Sequence, residues 1–121
     1  MNSKEFRAEL VKIMPGYKWT VHKSDTDGRL EGTGIQTSGF NRLSTLCIIR
    51  IERDDAPPYY EAKSAGYGKK AWWLHASIGY TLAKALRNLQ NYYEGESNKY
   101  REHAEALQRG RLDANGKQEP V

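Results

Sequence analysis

The apolar positions at the start of the chain have the spacing of an amphipathic helix. Phe6, Leu10 and Ile13 fall at i, i+4 and i+7, and charged residues occupy several of the positions between them. Ser3 is the predicted N-cap, and the proline at position 15 disfavours helical backbone in the residue before it. The pattern therefore predicts a first helix that ends near Met14.

Alternating apolar and polar residues then predict four strands. The clearest lies between Ser44 and Arg53, where Cys47, Ile49 and Ile51 share one face and the residues between them share the other. Asp-Gly, Ser-Gly and Pro-Pro pairs stand between the strands and favour turns. The predicted strands cover residues 17–22, 30–37, 44–53 and 59–64.

A helical stripe follows a predicted loop over residues 66–73. Apolar residues from Ile78 to Tyr93 recur at helical spacing, and the stripe continues to Leu107. Gly95 weakens this helix by about 1 kcal/mol, so a kink or a break is expected there. Residues 110–121 are polar and are predicted to form a disordered tail.

The order of these elements predicts an α+β two-layer sandwich. It has an N-terminal helix, a four-stranded antiparallel meander and a long C-terminal helix, and the helices are expected to cover one face of the sheet. A chain of 121 residues fits one domain, which we expect to span residues 1–109.

The long helix also carries a seven-residue spacing of larger side chains, which is compatible with packing against a partner helix and so with a dimer. Ordinary packing within one chain is the alternative, because polar residues separate the repeats. The four positions are Leu86, Tyr93, Tyr100 and Leu107.

Composition sets limits on compartment and partners. No apolar run approaches the roughly 20 residues of a membrane span, and the charged N-terminus is unlike an export signal. The single cysteine, Cys47, fits a reducing compartment, so we expect a cytoplasmic protein. The formal net charge of +4, from 19 Lys and Arg against 15 Asp and Glu, permits a nucleic-acid or acidic partner without requiring one.

Catalytic signatures are weak. His22, His75 and His103 lie in different predicted elements without metal-ligand spacing, and Cys47 lies on an apolar strand face. The Gly66-x-Gly68 pair lacks the third glycine and the strand–helix context of a dinucleotide site. The sequence therefore predicts a non-enzymatic protein without metal or cofactor.

The stretch Ala65–Ser77 combines glycines, lysines and aromatic residues. Flexible backbone, positive charge and flat rings suit a surface that binds phosphates and stacks bases. A second Gly-aromatic-basic segment, at residues 39–42, contributes Phe40. The alternative is that one of the two tryptophans fills the core beneath the long helix, and we expect at least one to do so. The candidate binding residues are Arg42, Lys63, Tyr67, Lys69, Lys70, Trp72 and Trp73.

A helix, then strands, then a Lys69-Lys70 pair ahead of the last helix resembles the arrangement of the double-stranded-RNA-binding domain. The resemblance covers roughly residues 3–93 and implies phosphate contacts by the two lysines across a groove, with recognition of duplex shape. The Gly-Pro-x-His loop of that family is absent here, since residues 25–29 read DTDGR. In general character the chain is also similar to small accessory proteins of bacteriophages and prophages, which often block a host nucleic-acid machine.

Two functions follow as expectations. The first is binding of DNA or RNA through the basic and aromatic residues of the predicted loop. The alternative is a phage-type protein inhibitor, anti-CRISPR-like in its anti-defence role, whose aromatics anchor it to a host nucleic-acid-binding protein complex. Neither expectation involves a membrane.

Overall fold

The computed structural model describes residues 1–23, 27–38, 41–65 and 72–111, without the side chains of residues 38 and 41–43. The chain divides into two compact units, residues 1–89 and 90–121. The elements in chain order are α1 (Ser3–Ile13), β1 (Lys18–Val21), β2 (Arg29–Ser38), β3 (Asn41–Ile51), β4 (Tyr59–Ala65), β5 (Trp73–Gly79) and α2 (Leu82–Gly110).

The N-cap of the first helix lies one residue earlier than predicted. Asn2, not Ser3, is the N-cap: its side chain accepts from the Glu5 backbone N at 2.8 Å, and the Glu5 side chain accepts from the Asn2 backbone N at 3.0 Å. This reciprocal pair satisfies two of the free N–H groups at the helix start. The helix ends at Ile13 with Met14 as C-cap, which confirms the predicted end.

The five strands form one antiparallel meander in the order β1-β2-β3-β4-β5. The α+β class and the four predicted strands are confirmed, and β5 is an additional strand. Residues 73–79, predicted as loop and helix start, pair with β4 instead. The helix begins only after Thr81, whose Oγ1 accepts from the Lys84 backbone N at 3.1 Å and so caps it.

Helix α1 packs on one face of the sheet, which we call the helix face. A Cβ added at Gly32 would lie 2.7 Å from Leu10 Cδ1, and one added at Gly34 would lie 2.9 Å from the Trp19 ring. The two glycines of β2 therefore leave room for Leu10 and Trp19, which are both buried. By register, the helix face also includes Leu46 and Ile48 of β3.

The start of α2 lies on the helix face as well. Gly79 ends β5, and a Cβ built on it would lie 2.6 Å from the backbone N of Ala85. Leu82, Ala85 and Leu89 are buried, so this part of α2 belongs to the core of the 1–89 unit. Within the described residues of that unit, both helical segments thus cover one face of the sheet, as expected.

The opposite side of the sheet, which we call the far face, is defined by Cys47 and Ile49 of β3, Lys63 of β4, and Trp73 and Ile78 of β5. Cys47 and Ile49 are buried, and Ile78 is exposed at the sheet edge. This alternation of Cys47 and Ile49 against Leu46 and Ile48 confirms the predicted division of β3.

In the second unit, α2 continues through Gly95 to Gly110 without a break in the helix. Tyr100 and Leu107 are exposed, and Glu96 forms an ion pair with Lys99 at 3.7 Å. Residues 112–121, most of the predicted tail, lie outside the described residues, so the predicted domain limits stay a prediction. No helix in the described part of the chain is long and apolar enough to cross a membrane.

Candidate binding surface around Trp73

The far face carries a lysine over an indole ring. Lys63 Nζ of β4 lies 4.8 Å from the ring centroid of Trp73 in β5. The pair forms because an irregularity in the β4–β5 register brings Trp73, rather than Leu74, opposite Ala65. The ammonium group is attracted by the ring, and 46% of the Trp73 residue stays exposed. The surface therefore presents a flat aromatic group with a positive charge on it.

Trp72, which directly precedes Trp73 in the chain, is a second exposed tryptophan. It is 88% exposed, the highest value among the large hydrophobic residues described. The expectation that Trp72 or Trp73 fills the core is therefore wrong. Trp19 is the buried tryptophan: its ring lies on Gly34, and its Nε1 donates to the Met14 carbonyl at 3.0 Å. Because Gly34 has no side chain, the Trp19 ring can pack directly against its backbone.

Four of the other predicted residues cannot be placed. Tyr67, Lys69 and Lys70 belong to residues 66–71, and Phe40 belongs to residues 39–40, all outside the described residues. The side chain of Arg42 is likewise not described, although its backbone lies in β3. Of the predicted set, the structure brings Lys63 and Trp73 into contact, and Trp72 is the exposed residue before Trp73 in the chain.

The position of the lysine pair relative to the helix differs from the prediction. Lys69 and Lys70 precede β5 in the chain, and the whole of β5 stands between them and α2. The first free N–H groups of α2 were expected near Ser77, but the helix starts at Leu82 and is capped by Thr81. The lysines therefore do not adjoin the start of that helix in sequence.

Carboxylates balance part of the positive charge on the far face. The Cys47 thiol donates to Glu31 Oε1 at 3.8 Å. Burial and the neighbouring Glu31 carboxylate raise the pKa of Cys47 to about 11, while the Lys63 charge opposes the shift. Such a thiol stays protonated near neutral pH and is a poor nucleophile. Lys63 is thus the cation next to the aromatic rings, and Cys47 is a structural residue.

A second basic region lies beside α1 and β1. A shallow cavity of about 300 Å³ is lined by Ser3, Lys4, Arg7, Val21, His22 and Lys23. Arg7 donates to the Trp19 carbonyl at 3.2 Å, and His22 Nε2 is 2.7 Å from Thr33 Oγ1. None of the lining residues is acidic. No sequence pattern predicts this cluster, because its cations come from two separate parts of the chain.

The sequence patterns also did not predict that aliphatic side chains of β5 are exposed. Leu74 is 63% exposed and Ile78 is 60% exposed, and Tyr80 just beyond the strand is also exposed. A signal was present in the sequence, because no Asp, Glu, Lys or Arg occurs from Ala71 to Ala83. Edge strands usually carry charged residues that prevent association with other strands.

Among the described residues, no group of three or more His, Cys, Asp or Glu side chains has an arrangement that could hold a metal ion. Comparisons with protein-family models, with curated proteins and with solved structures found no match.

Proposed function

We propose that this protein binds single-stranded nucleic acid, with Trp72 and Trp73 stacking on bases and Lys63 contacting the backbone. The observation that carries the proposal is the Lys63–Trp73 pair beside the exposed Trp72. Aromatic rings on a sheet surface combined with positive charge are the usual parts of a single-strand binding site. A single strand fits better than a duplex, because the bases of a duplex are already stacked on each other.

Charge in the 1–89 unit supports a polyanionic partner. This part of the chain holds 14 Lys and Arg against 9 Asp and Glu, a formal net charge of +5. The basic cavity beside α1 lies in the same unit and offers a further place for phosphate contact. By sequence, Lys69 and Lys70 stand between the end of β4 and Trp72 and are proposed to add backbone contacts.

The experiment is a salt series of binding measurements. Labelled single-stranded RNA, single-stranded DNA and duplexes of equal length are titrated with protein, and fluorescence anisotropy is recorded. For single strands, a plot of the logarithm of affinity against the logarithm of salt concentration should be linear. Its slope should be negative, with a magnitude of about 0.7 per phosphate contacted. Binding should also quench the emission of the exposed Trp72.

Variants test the named residues. Trp73→Ala removes a stacking surface worth roughly 1–3 kcal/mol, so affinity should fall about tenfold or more, whereas Trp73→Phe should retain part of it. Lys63→Gln should weaken binding and reduce the salt slope by about one phosphate contact. Lys84→Gln, an exposed lysine at the start of α2, is the matched control and should change neither quantity.

Two results would overturn the proposal. One is no binding of any of these nucleic acids at low salt. The other is binding that does not respond to Trp72→Ala, Trp73→Ala or Lys63→Gln. Capture from a host lysate of a protein partner that survives nuclease treatment and is lost in Trp72→Ala would establish the protein-inhibitor alternative in its place.

A further inference from the structure

An acidic side chain lies beside the candidate binding residues of the far face. Glu61 stands two residues before Lys63 in β4, so the two side chains share that face. The strand register places Glu61 next to Ile78 of β5, which is 60% exposed. Burial, Glu31 and, to a smaller extent, Glu61 raise the pKa of Cys47, so the Glu61 carboxylate lies near that thiol. A carboxylate thus occupies a surface that is proposed to bind a polyanion.

Glu61 differs from Glu31, the other carboxylate near Cys47, in its hydrogen bonding. Glu31 Oε1 accepts from the Cys47 thiol at 3.8 Å and from Arg29 at 3.3 Å. Glu61 is half-buried and forms no hydrogen bond or ion pair with any other residue that the structure describes. The Glu61 oxygens are therefore available to accept hydrogen bonds from a ligand.

The far face of β4 places Glu61 at a defined distance from the aromatic group. Trp73 lies opposite Ala65. Lys63 and then Glu61 follow along the strand, about 7 Å and about 14 Å from Ala65. A base stacked on Trp73 is thus separate from a base at Glu61. Lys63 lies between these two positions, where it can contact a phosphate that links the nucleotides.

The Glu61 charge selects which part of a nucleic acid lies next to it. The carboxylate repels phosphate, so a strand on this face presents a base to Glu61 rather than its backbone. A carboxylate only accepts hydrogen bonds, and its two oxygens match two neighbouring N–H donors. The Watson–Crick edge of guanine carries such a pair, N1–H and N2–H. Uracil carries one N–H between two carbonyl oxygens, which the carboxylate repels.

We infer that Glu61 gives this surface a preference for guanine, accepting from N1–H and N2–H of a base that lies against Ile78. The inference rests on the proposed single-strand binding and adds a base-reading residue to it. Adenine and cytosine each combine one amino donor with a ring-nitrogen acceptor, so they satisfy only one carboxylate oxygen. The expected order of affinity therefore places guanine first and uracil last.

Four single strands of about 12 nucleotides test the inference by fluorescence anisotropy, as RNA or DNA according to which binds more tightly in the salt series. One strand contains only uracil, and the others carry guanine, hypoxanthine or 7-deazaguanine at every third position. The guanine strand should bind at least about fivefold more tightly than the uracil strand. Hypoxanthine lacks the amino group and should lose most of this gain. 7-Deazaguanine keeps both donors and does not form quadruplexes, so it should retain the gain.

Two matched variants assign the preference to one carboxylate. Glu61→Gln replaces one acceptor by a donor, so the guanine preference should fall to within about twofold. Affinity for the uracil strand should be retained or should rise, because a negative charge is removed, whereas a misfolded variant would lose both. Glu31→Gln is the control and should keep the preference, because the Glu31 carboxylate already accepts from Arg29 and Cys47.

The outcomes separate this inference from the proposed function. Equal affinity for the guanine and uracil strands, in binding that still requires Trp73, overturns the inference and leaves the proposed function in place. A guanine preference that survives in Glu61→Gln, or that Glu31→Gln abolishes to the same extent, also overturns it. No binding of any single strand at low salt overturns the proposed function and the inference with it.

Discussion

Gly79 lies directly against the backbone of Ala85, at the point where β5 ends and α2 begins. A Cβ on Gly79 would lie 2.6 Å from the Ala85 backbone N and 3.0 Å from the Lys84 carbonyl carbon. These atoms belong to the helix backbone and cannot rotate away. The absence of a side chain at Gly79 therefore allows the first turns of α2 to pack on the sheet.

Gly79→Ala should destabilise the protein by about 3 kcal/mol, the upper part of the range for overpacked sites. Gly32→Ala is the comparison, because its new Cβ would meet Leu10 Cδ1, the end of a flexible side chain, at 2.7 Å. We expect a cost of about 1 kcal/mol there. Urea unfolding at neutral pH measures both values, and a larger loss for Gly32→Ala would contradict this account.

The interface between β5 and α2 is also where sequence patterns were least informative. Ile78 stands four residues before Leu82, so it extended the apolar stripe of the helix one turn too early. Strand β5 was not predicted, because Trp73 and Leu74 are adjacent apolar residues. The register irregularity at this point interrupts the regular apolar–polar alternation that indicates a strand. Strands β1 to β4 were predicted because their alternation is regular over the sheet core.

The candidate binding residues were predicted from the sequence, but the exposure of both Trp72 and Trp73 was not. The chain has three tryptophans, and the composition does not show which of the three rings is buried in the core. Trp19 is the one that is buried, because its partner on the neighbouring strand is Gly34, which has no side chain and leaves room for the ring. Cross-strand pairing of this kind becomes visible only when the register is known.

The Cys47 thiol should react slowly in the folded protein. A pKa raised from 9.0 to about 11 lowers the thiolate fraction at pH 8 about 100-fold, and the side chain is buried as well. Reaction with a disulfide reagent should therefore be at least about 100-fold slower in buffer than in denaturant. Equal rates in the two conditions would show that the thiol is accessible.

The same shift predicts a loss of stability at high pH. A raised pKa in the folded state means that the folded protein holds the Cys47 proton more tightly, so the contribution is complete below pH 9.0 and is lost as pH rises towards 11. Cys47→Ala removes this group. The unfolding free energy of the wild type should fall more steeply over this interval than that of the variant. If the unfolding free energies of the wild type and of Cys47→Ala change in parallel with pH, the raised pKa of Cys47 in the folded protein is refuted.

The capping box of α1 should contribute measurably to stability. Asn2→Ala removes the acceptor of the Glu5 N–H and should cost about 1 kcal/mol, whereas Asn2→Ser should cost much less because serine also caps well. Thermal unfolding of both variants measures the difference. If the alanine and serine variants melt together, the side-chain contact at 2.8 Å contributes nothing.

Residues 1–89 should fold without the rest of the chain. Every hydrophobic core residue in the described part of the chain lies at or before Leu89, and this segment forms a compact unit. A chain ending after Tyr93, which keeps one further helical turn beyond Leu89, should retain the strand signal in circular dichroism and lose helical signal. Its cooperative melting should persist, with a midpoint within about 8 °C of the full chain, equivalent to roughly 1 kcal/mol. A non-cooperative transition, or loss of the Trp19 near-ultraviolet signal, would mean that residues beyond Tyr93 are needed to form the sheet core.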